Sequence, residues 1–160
     1  MKIGILGGSF DPAHKGHLAI SKEAKRRFKL EKIIWAVTKK NPLKAESKTP
    51  ISKKIKDCKK IIGMNSFIKV KFYENIIKSN KTIDLINYLK KDKKIEIFFL
   101  MGADNLINFH KWFRSKLISQ KCNIIVFDRH GYKKNSLKSK TFKRLNNKTL
   151  TFVEFKKVNI

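Results

Sequence analysis

The sequence predicts an α/β fold in which a doubly wound, mostly parallel, Rossmann-like sheet forms one domain over residues 1–160. Short apolar runs alternate with segments whose apolar side chains recur at helical spacing. The alternation continues through the chain without an internal repeat or a change of composition that would mark a linker. Strands joined by helical crossovers run parallel, so we expect ligands to bind where their carboxyl ends meet.

The elements follow from the same patterns in chain order. A buried strand is predicted at residues 2–6, and a helix follows at 16–28, where Ile20, Ala24 and Phe28 recur at spacing four. The run 95–101 (IEIFFLM) is the most apolar strand, which places it near the centre of the sheet. The other predicted elements are strands at 33–38, 68–72, 123–127 and 150–155, and helices at 51–62, 82–90, 104–109 and 114–121.

The net charge of +27 would suit a nucleic-acid-binding protein, but its composition favours another interpretation. Only five of the 39 basic residues are Arg, the residue on which base and phosphate recognition depends most. The lysines are spread along the chain, which indicates a solvated surface without a specific nucleic acid partner. No apolar stretch approaches the roughly 20 residues of a membrane span. Cys58 and Cys122 have no paired spacing, which is typical of reduced thiols in a cytoplasmic protein.

The loop after the first predicted strand, GGSFDPAHKGH, contains paired glycines and two histidines. It matches neither the Rossmann fingerprint nor the P-loop. Gly7 and Gly8 would let a ligand approach the backbone, and the helix starting near Gly16 would direct its N–H groups at a phosphate. His14 and His17 would lie on one side of the first helical turn and donate to phosphate oxygens. A metal-binding pair and two unrelated structural histidines are the alternatives.

This loop resembles the signature of the HxGH nucleotidyltransferase superfamily. Three later segments, KTIDLI (81–86), FLMGADNLINFHKW (99–112) and NPLK (41–44), resemble those of bacterial nicotinate-nucleotide adenylyltransferases, in the same order. Arg129 precedes a turn like that family's R-P-G-Y, with His130 in place of the proline. The resemblance implies the nucleotidyltransferase fold. It also implies adenylyl transfer from ATP to nicotinate mononucleotide, which gives deamido-NAD and pyrophosphate in NAD biosynthesis.

The resemblance also implies roles for individual residues. His14 and His17 would be catalytic, with His17 at the α-phosphate of ATP. The residues expected to bind ATP are Gly7, Gly8, Ser9, Phe10, His14, His17, Gly102, Asp104 and Arg129. Those expected to bind nicotinate mononucleotide are Lys44, Thr82, Asn105, Trp112 and Phe113. Trp112 would stack on the pyridine ring, whereas its alternative is an ordinary core position. Lys44 could equally be a surface lysine and Asp104 a helix cap. Mg²⁺ would arrive with ATP, without a protein ligand set of its own.

One segment that the superfamily usually carries, I-S-S-T-x-I-R, would begin where the sequence ends, at Ile160. We therefore expect the 160-residue chain to bind nucleotide weakly and turn over slowly, which the adenylyl-transfer rate of purified chain 1–160 measures. Two alternative functions stay open: another HxGH enzyme such as phosphopantetheine adenylyltransferase, and a basic nucleic-acid-binding domain. The chain could also form a homo-oligomer. Nicotinamide mononucleotide is an alternative acceptor.

Overall fold

Six parallel strands form one sheet in the order β3-β2-β1-β4-β5-β6. This computed structural model describes residues 1–39, 48–102, 109–112, 114–128 and 150–154. The strands are β1 (Lys2–Gly8), β2 (Lys32–Val37), β3 (Ile68–Lys71), β4 (Glu96–Gly102), β5 (Asn123–Asp128) and β6 (Leu150–Glu154). The order reverses between β1 and β4, so the predicted doubly wound class is confirmed, with the apolar strand β4 near its centre.

Helices cover the sheet on both faces. They are α1 (Lys15–Phe28), α2 (Ile51–Ile62), α3 (Glu74–Ile77), α4 (Thr82–Leu89) and α5 (Ser115–Lys121), with a 3-10 turn at Phe109–Lys111. The predicted bounds agree to within two residues wherever a predicted element lies in the described chain. Helix α3 was missed because four residues are too few to show a helical period. Apart from Phe109, the helix predicted at 104–109 lies outside the described residues.

The first strand is longer than the sequence predicts. We expected Gly7 and Gly8 in the loop after residue 6, but both belong to β1, where they pair with Ala36 and Val37 of β2. Glycine lowers strand propensity, and the pairing with β2 overrides that local preference. The glycine backbone therefore reaches the carboxyl edge of the sheet in a fixed, extended form.

Each face of the sheet has its own buried core. Ile5, Ile34 and Phe99 pack with Ile83 and Ile86 of α4 on one face. On the other, the side chains of β1, β2 and β4 pack against α1 and α2, with Leu6, Ile20, Trp35, Cys58 and Leu100 among the buried members. The alternation of strand side chains thus supplies both cores, and their burial is the main source of stability.

Gly4 marks the tightest packing in the centre of β1. A Cβ at this position would lie 2.9 Å from Leu30 Cδ1 and 3.2 Å from Ile33 Cγ1, and both side chains are buried. We expect Gly4→Ala to lower the free energy of unfolding by about 1–3 kcal/mol, as overpacking does.

Thermal unfolding checks this prediction, because each kcal/mol corresponds to about 2–4 °C in Tm for a chain of this size. Gly7→Ala is the matched control, since its Cβ would meet nothing nearer than Phe99 Cζ at 3.7 Å. If both variants melted with the wild type, the close packing around Gly4 would be contradicted.

Candidate active site

A cavity of about 430 Å³ lies at the carboxyl ends of β1 and β2, beside the start of α4. Its volume is in the range of small-molecule sites. Its position is the one expected for ligands in a doubly wound sheet. The lining residues are Gly7–Pro12, His14, His17, Ala36–Thr38, Tyr73, Glu74, Ile77, Ser79–Thr82, Leu85, Phe99 and Trp112.

The cavity brings together candidate residues that are far apart in the sequence. Those that line it are Gly7, Gly8, Ser9, Phe10, His14, His17, Thr82 and Trp112. Gly102 ends β4 but does not line the cavity. The remaining candidates, Lys44, Asp104, Asn105, Phe113 and Arg129, lie outside the described residues. The fold therefore brings residues predicted to bind ATP together with residues predicted to bind nicotinate mononucleotide. The role of each residue stays a prediction.

The two histidines form the cap of α1. His14 is the N-cap residue, and its Nδ1 accepts a hydrogen bond from the Gly16 N–H at 3.1 Å. His17 Nδ1 accepts one from the His14 N–H, also at 3.1 Å, so the pair forms a reciprocal capping box. The rings stack with centroids 3.9 Å apart. A neutral imidazole with an accepting Nδ1 carries its proton on Nε2, so this cap makes both Nε2–H groups donors.

A buried aromatic stack supports His17. The Phe10 ring lies 4.6 Å from the His17 ring and 5.2 Å from that of Trp35, on which it stacks. Trp35 Nε1 donates to Ser21 Oγ at 2.8 Å, and Ser21 Oγ donates to the His17 carbonyl at 2.8 Å. Trp35 and Ser21 are fully buried. Both the ring and the backbone of His17 are therefore fixed to the core of the sheet.

Phe10 has left-handed backbone geometry, with φ at +49°. A non-glycine residue in this region costs of the order of 1–3 kcal/mol and persists only where its surroundings hold it. Here the buried Phe10 ring packs against both His17 and Trp35, whose own rings are 5.8 Å apart. The turn from β1 into α1 is thus fixed by the side chain of Phe10, the aromatic residue of the GGSFDPAHKGH segment.

The first turn of α1 favours an anion. This turn contains no acidic residue. The last turn of the helix carries Lys25, Arg26 and Arg27, which complement the carboxyl end of the helix dipole. The positive end of the helix dipole lies next to the two histidines. Together these groups can bind and polarise phosphate oxygens.

The sequence allowed Trp112 to be a ligand-stacking residue or an ordinary core residue, and its position in the structure combines the two. It is partly buried against the core, 5.1 Å from the Phe109 ring and edge-on to Phe99 at 5.9 Å. It also lines the cavity, as do Thr82 at the start of α4 and Leu85 one turn later. An apolar wall with an indole can hold a planar ring by stacking.

The segment between β3 and α4 forms a wall that the sequence motifs did not reveal. Tyr73, Glu74, Ile77 and Ser79–Lys81 all line the cavity. The topology predicted that the loop after β3 faces the site, but apart from Lys81, which begins the KTIDLI segment, no motif singled out its residues. Burial raises the pKa of the Tyr73 hydroxyl, and the neighbouring Tyr88 adds to that shift.

Glu74 is the acidic residue of this wall. Its Oε1 accepts a hydrogen bond from the Lys39 N–H at 3.2 Å. Its Oε2 is buried and has no hydrogen-bond partner within the described chain. Burial raises the pKa of this carboxyl, while the bond from Lys39 and the charges of Lys39 and Lys54 act in the opposite direction.

Within the part of the chain that the structure describes, no three His, Cys, Asp or Glu side chains group closely enough to hold a metal ion. None of the described helices combines the length and the apolar character needed to cross a bilayer.

Comparison with known proteins gives a consistent set of relatives. The family model "Cytidylyltransferase-like" matches residues 5–157. A protein of Pelagibacter ubique named "Probable nicotinate-nucleotide adenylyltransferase" is 67% identical over 159 residues, which are 99% of this chain and 88% of the relative. A protein of the same name from Methylorubrum extorquens is 37% identical over 134 residues, 82% of this chain and 72% of that one.

The fold is also found among solved structures. The nicotinic acid mononucleotide adenylyltransferase of Plasmodium falciparum, complexed with NaAD, superposes with a TM-score of 0.80. The match covers 99% of this chain and 77% of that one at 19% identity. The same enzyme complexed with APC gives 0.79. At this identity the likeness establishes the fold.

Proposed function

The chain belongs to the cytidylyltransferase-like family and, within it, to the nicotinate-nucleotide adenylyltransferases, and we propose that it transfers the adenylyl group of ATP to nicotinate mononucleotide. One observation carries the proposal. Two histidines whose Nδ1 atoms are occupied by the α1 cap lie in the same cavity as Thr82 and Trp112. A phosphate-binding wall and a ring-binding wall therefore face a single space.

The reaction needs positioning and charge stabilisation more than covalent chemistry. A phosphate oxygen of the mononucleotide attacks the α-phosphorus of ATP, the bond to the β-phosphate oxygen breaks, and pyrophosphate leaves. His17 donates its Nε2–H to the α-phosphate as charge develops there, and His14 donates to a neighbouring phosphate oxygen. Gly7, Gly8, Ser9 and Phe10 let the nucleotide approach the backbone.

Trp112 and α4 bind the acceptor in this proposal. The pyridine ring stacks on the indole, and the backbone N–H of Thr82 at the start of α4 donates to the nicotinate carboxylate. Lys81, which also lines the cavity, adds a positive charge beside that position.

Magnesium fits this site as a companion of the triphosphate. The donors at the cap of α1 are N–H groups suited to phosphate, and Mg²⁺ commonly binds through substrate phosphates and water. When bound, it would neutralise charge on the triphosphate and on the departing pyrophosphate.

We place the activity in the cytoplasm, since the thiols of Cys58 and Cys122 are both free and buried.

Pyrophosphate release tests the assignment directly. The purified chain is incubated with ATP and Mg²⁺ and with nicotinate mononucleotide, nicotinamide mononucleotide or phosphopantetheine. We expect release with nicotinate mononucleotide at the highest kcat/KM. Release with phosphopantetheine alone would assign a different acceptor. Salt-sensitive binding of DNA that competes with ATP would favour a nucleic-acid-binding role instead.

Lys81 gives this assay a specificity arm. Lys81→Met removes a positive charge at the cavity wall, so we expect the preference for nicotinate over nicotinamide mononucleotide to fall about two- to fivefold, the effect of an exposed charge pair. Lys22→Met on the exposed surface of α1 is the control and should keep the wild-type ratio. An unchanged ratio in Lys81→Met would show that Lys81 does not contribute to acid recognition.

A further inference from the structure

A single peptide group beside the cavity is held at both ends by charged side chains. Lys54 Nζ donates to the Thr38 carbonyl at 3.1 Å. The Lys39 N–H donates to Glu74 Oε1 at 3.2 Å. The Thr38 carbonyl and the Lys39 N–H belong to the same peptide unit, so α2 and α3 clamp it from opposite ends.

The charges match the dipole of that peptide. The ammonium lies at the carbonyl oxygen, its negative end, and the carboxyl lies at the N–H, its positive end. Hydrogen bonds with a charged partner are about twice as strong as neutral ones. The arrangement therefore fixes the orientation of this peptide more firmly than two neutral bonds would.

The burial of Lys54 has a free-energy cost, because its ammonium group loses contact with water. Lys54 is 1% exposed, and no other Asp, Glu, Lys or Arg of the described chain is so deeply buried. Desolvation makes a buried ionic group no more stabilising than apolar residues that fill the same volume. Stability alone thus gives little reason for a lysine here, whereas a need to orient a backbone group does.

The peptide that precedes the clamped one is hydrogen-bonded to the end of β1. The Thr38 N–H donates to the Gly8 carbonyl at 2.9 Å. Gly8, Thr38 and Glu74 all line the cavity. Because the two peptides share the Thr38 Cα, a displacement of the clamped peptide would shift the Thr38 N–H and with it the Gly8 backbone, on which we place the ATP phosphates.

We propose that Lys54 and Glu74 are positioning residues, which hold the Thr38–Lys39 peptide and through it Gly8 in the orientation that binds ATP. This inference rests on the proposed function for its kinetic test. Neither side chain needs to touch the reacting atoms. Their effect should appear mainly in the KM for ATP, with little change in the KM for the mononucleotide.

Four variants separate the parts of the clamp. Lys54→Met keeps most of the length of the side chain without donor or charge, and Glu74→Leu removes the acceptor. We expect each to lower kcat/KM for ATP about tenfold. Glu74→Gln keeps an acceptor for the Lys39 N–H and should lose less than threefold. The double variant Lys54→Met/Glu74→Leu should be about as slow as either single variant, because both act on one peptide.

The adjacent lysine offers a matched control. Lys53 is exposed and paired with Asp57 on the same helix, so Lys53→Met should keep wild-type kinetics. The proposal is overturned if folded Lys54→Met matches Lys53→Met, if Glu74→Gln loses as much as Glu74→Leu, or if the two losses multiply in the double variant.

Calorimetric titration with ATP separates this inference from the reaction itself. A wild type that binds ATP but transfers nothing to nicotinate mononucleotide would refute the proposed function. The clamp would still predict about tenfold weaker ATP binding in Glu74→Leu than in Glu74→Gln. Equal affinities would overturn it. The same pair decides the question if Lys54→Met fails to fold.

Discussion

His17→Ala is expected to reduce kcat for adenylyl transfer by about 100- to 1,000-fold, the usual effect of removing one preorganised donor from developing charge. The Nε2–H of His17 is the group that we place at the α-phosphate, and Phe10 and Ser21 fix its ring and backbone. The alanine variant also leaves the His14 N–H without its acceptor. Pyrophosphate release at saturating ATP and mononucleotide gives the rate, and thermal unfolding gives the stability.

His17→Asn distinguishes the catalytic effect from the loss of the cap. Asn places an acceptor near the position of Nδ1 and can therefore cap the His14 N–H, but it does not reach the position of Nε2. We expect its Tm to stay near that of the wild type, while its rate falls as far as that of His17→Ala. A wild-type rate in folded His17→Asn would contradict the phosphate role of His17.

Trp112→Ala is expected to raise the KM for nicotinate mononucleotide about 10- to 100-fold while leaving the KM for ATP almost unchanged. The loss of ring stacking, worth about 1–3 kcal/mol for a base on an aromatic side chain, sets this range. Initial rates with each substrate varied in turn provide the two constants.

Trp112→Phe is the matched control, because it keeps an aromatic face and part of the packing against Phe99 and Phe109. It should recover most of the affinity for the mononucleotide. Since Trp112 also packs on the core, the assays belong well below the Tm of each variant. An equal rise of both KM values in Trp112→Ala would indicate a general packing defect and contradict the stacking role.

Local sequence patterns were sufficient for most of the fold. The helical and strand periods located five of the six strands and the longer helices to within a residue, because each buries a continuous apolar face. The exception was β1, whose last residues Gly7 and Gly8 are in the strand through their pairing with β2. Such pairing is a property of the assembled sheet that local propensity does not contain.

The candidate site likewise combines residues that local motifs identify with residues that only the assembled fold brings together. His14, His17, Thr82 and Trp112 lie in motifs, and the topology brings those motifs to one cavity. Glu74 belongs to no motif and matters through a contact with Lys39, 35 positions away. Lys54 did leave a signal: it precedes Cys58 and Ile62 at spacing four, and all three are buried on one stripe of α2. In a chain so rich in lysine, the position of a lysine on that stripe is more informative than its charge.

The histidine cap of α1 determines when the conformational entropy of the site is lost. The hydrogen bonds that begin the helix are the ones that orient both imidazoles, so the rings become ordered as the chain folds and before any nucleotide arrives. Ordering a rotamer-rich side chain during binding costs about 0.5–1.5 kcal/mol, and here folding has already met that cost. Association with the nucleotide can then proceed without a slow rearrangement at this end of the cavity, and the on-rate should be governed by diffusion and by the positive field of the protein.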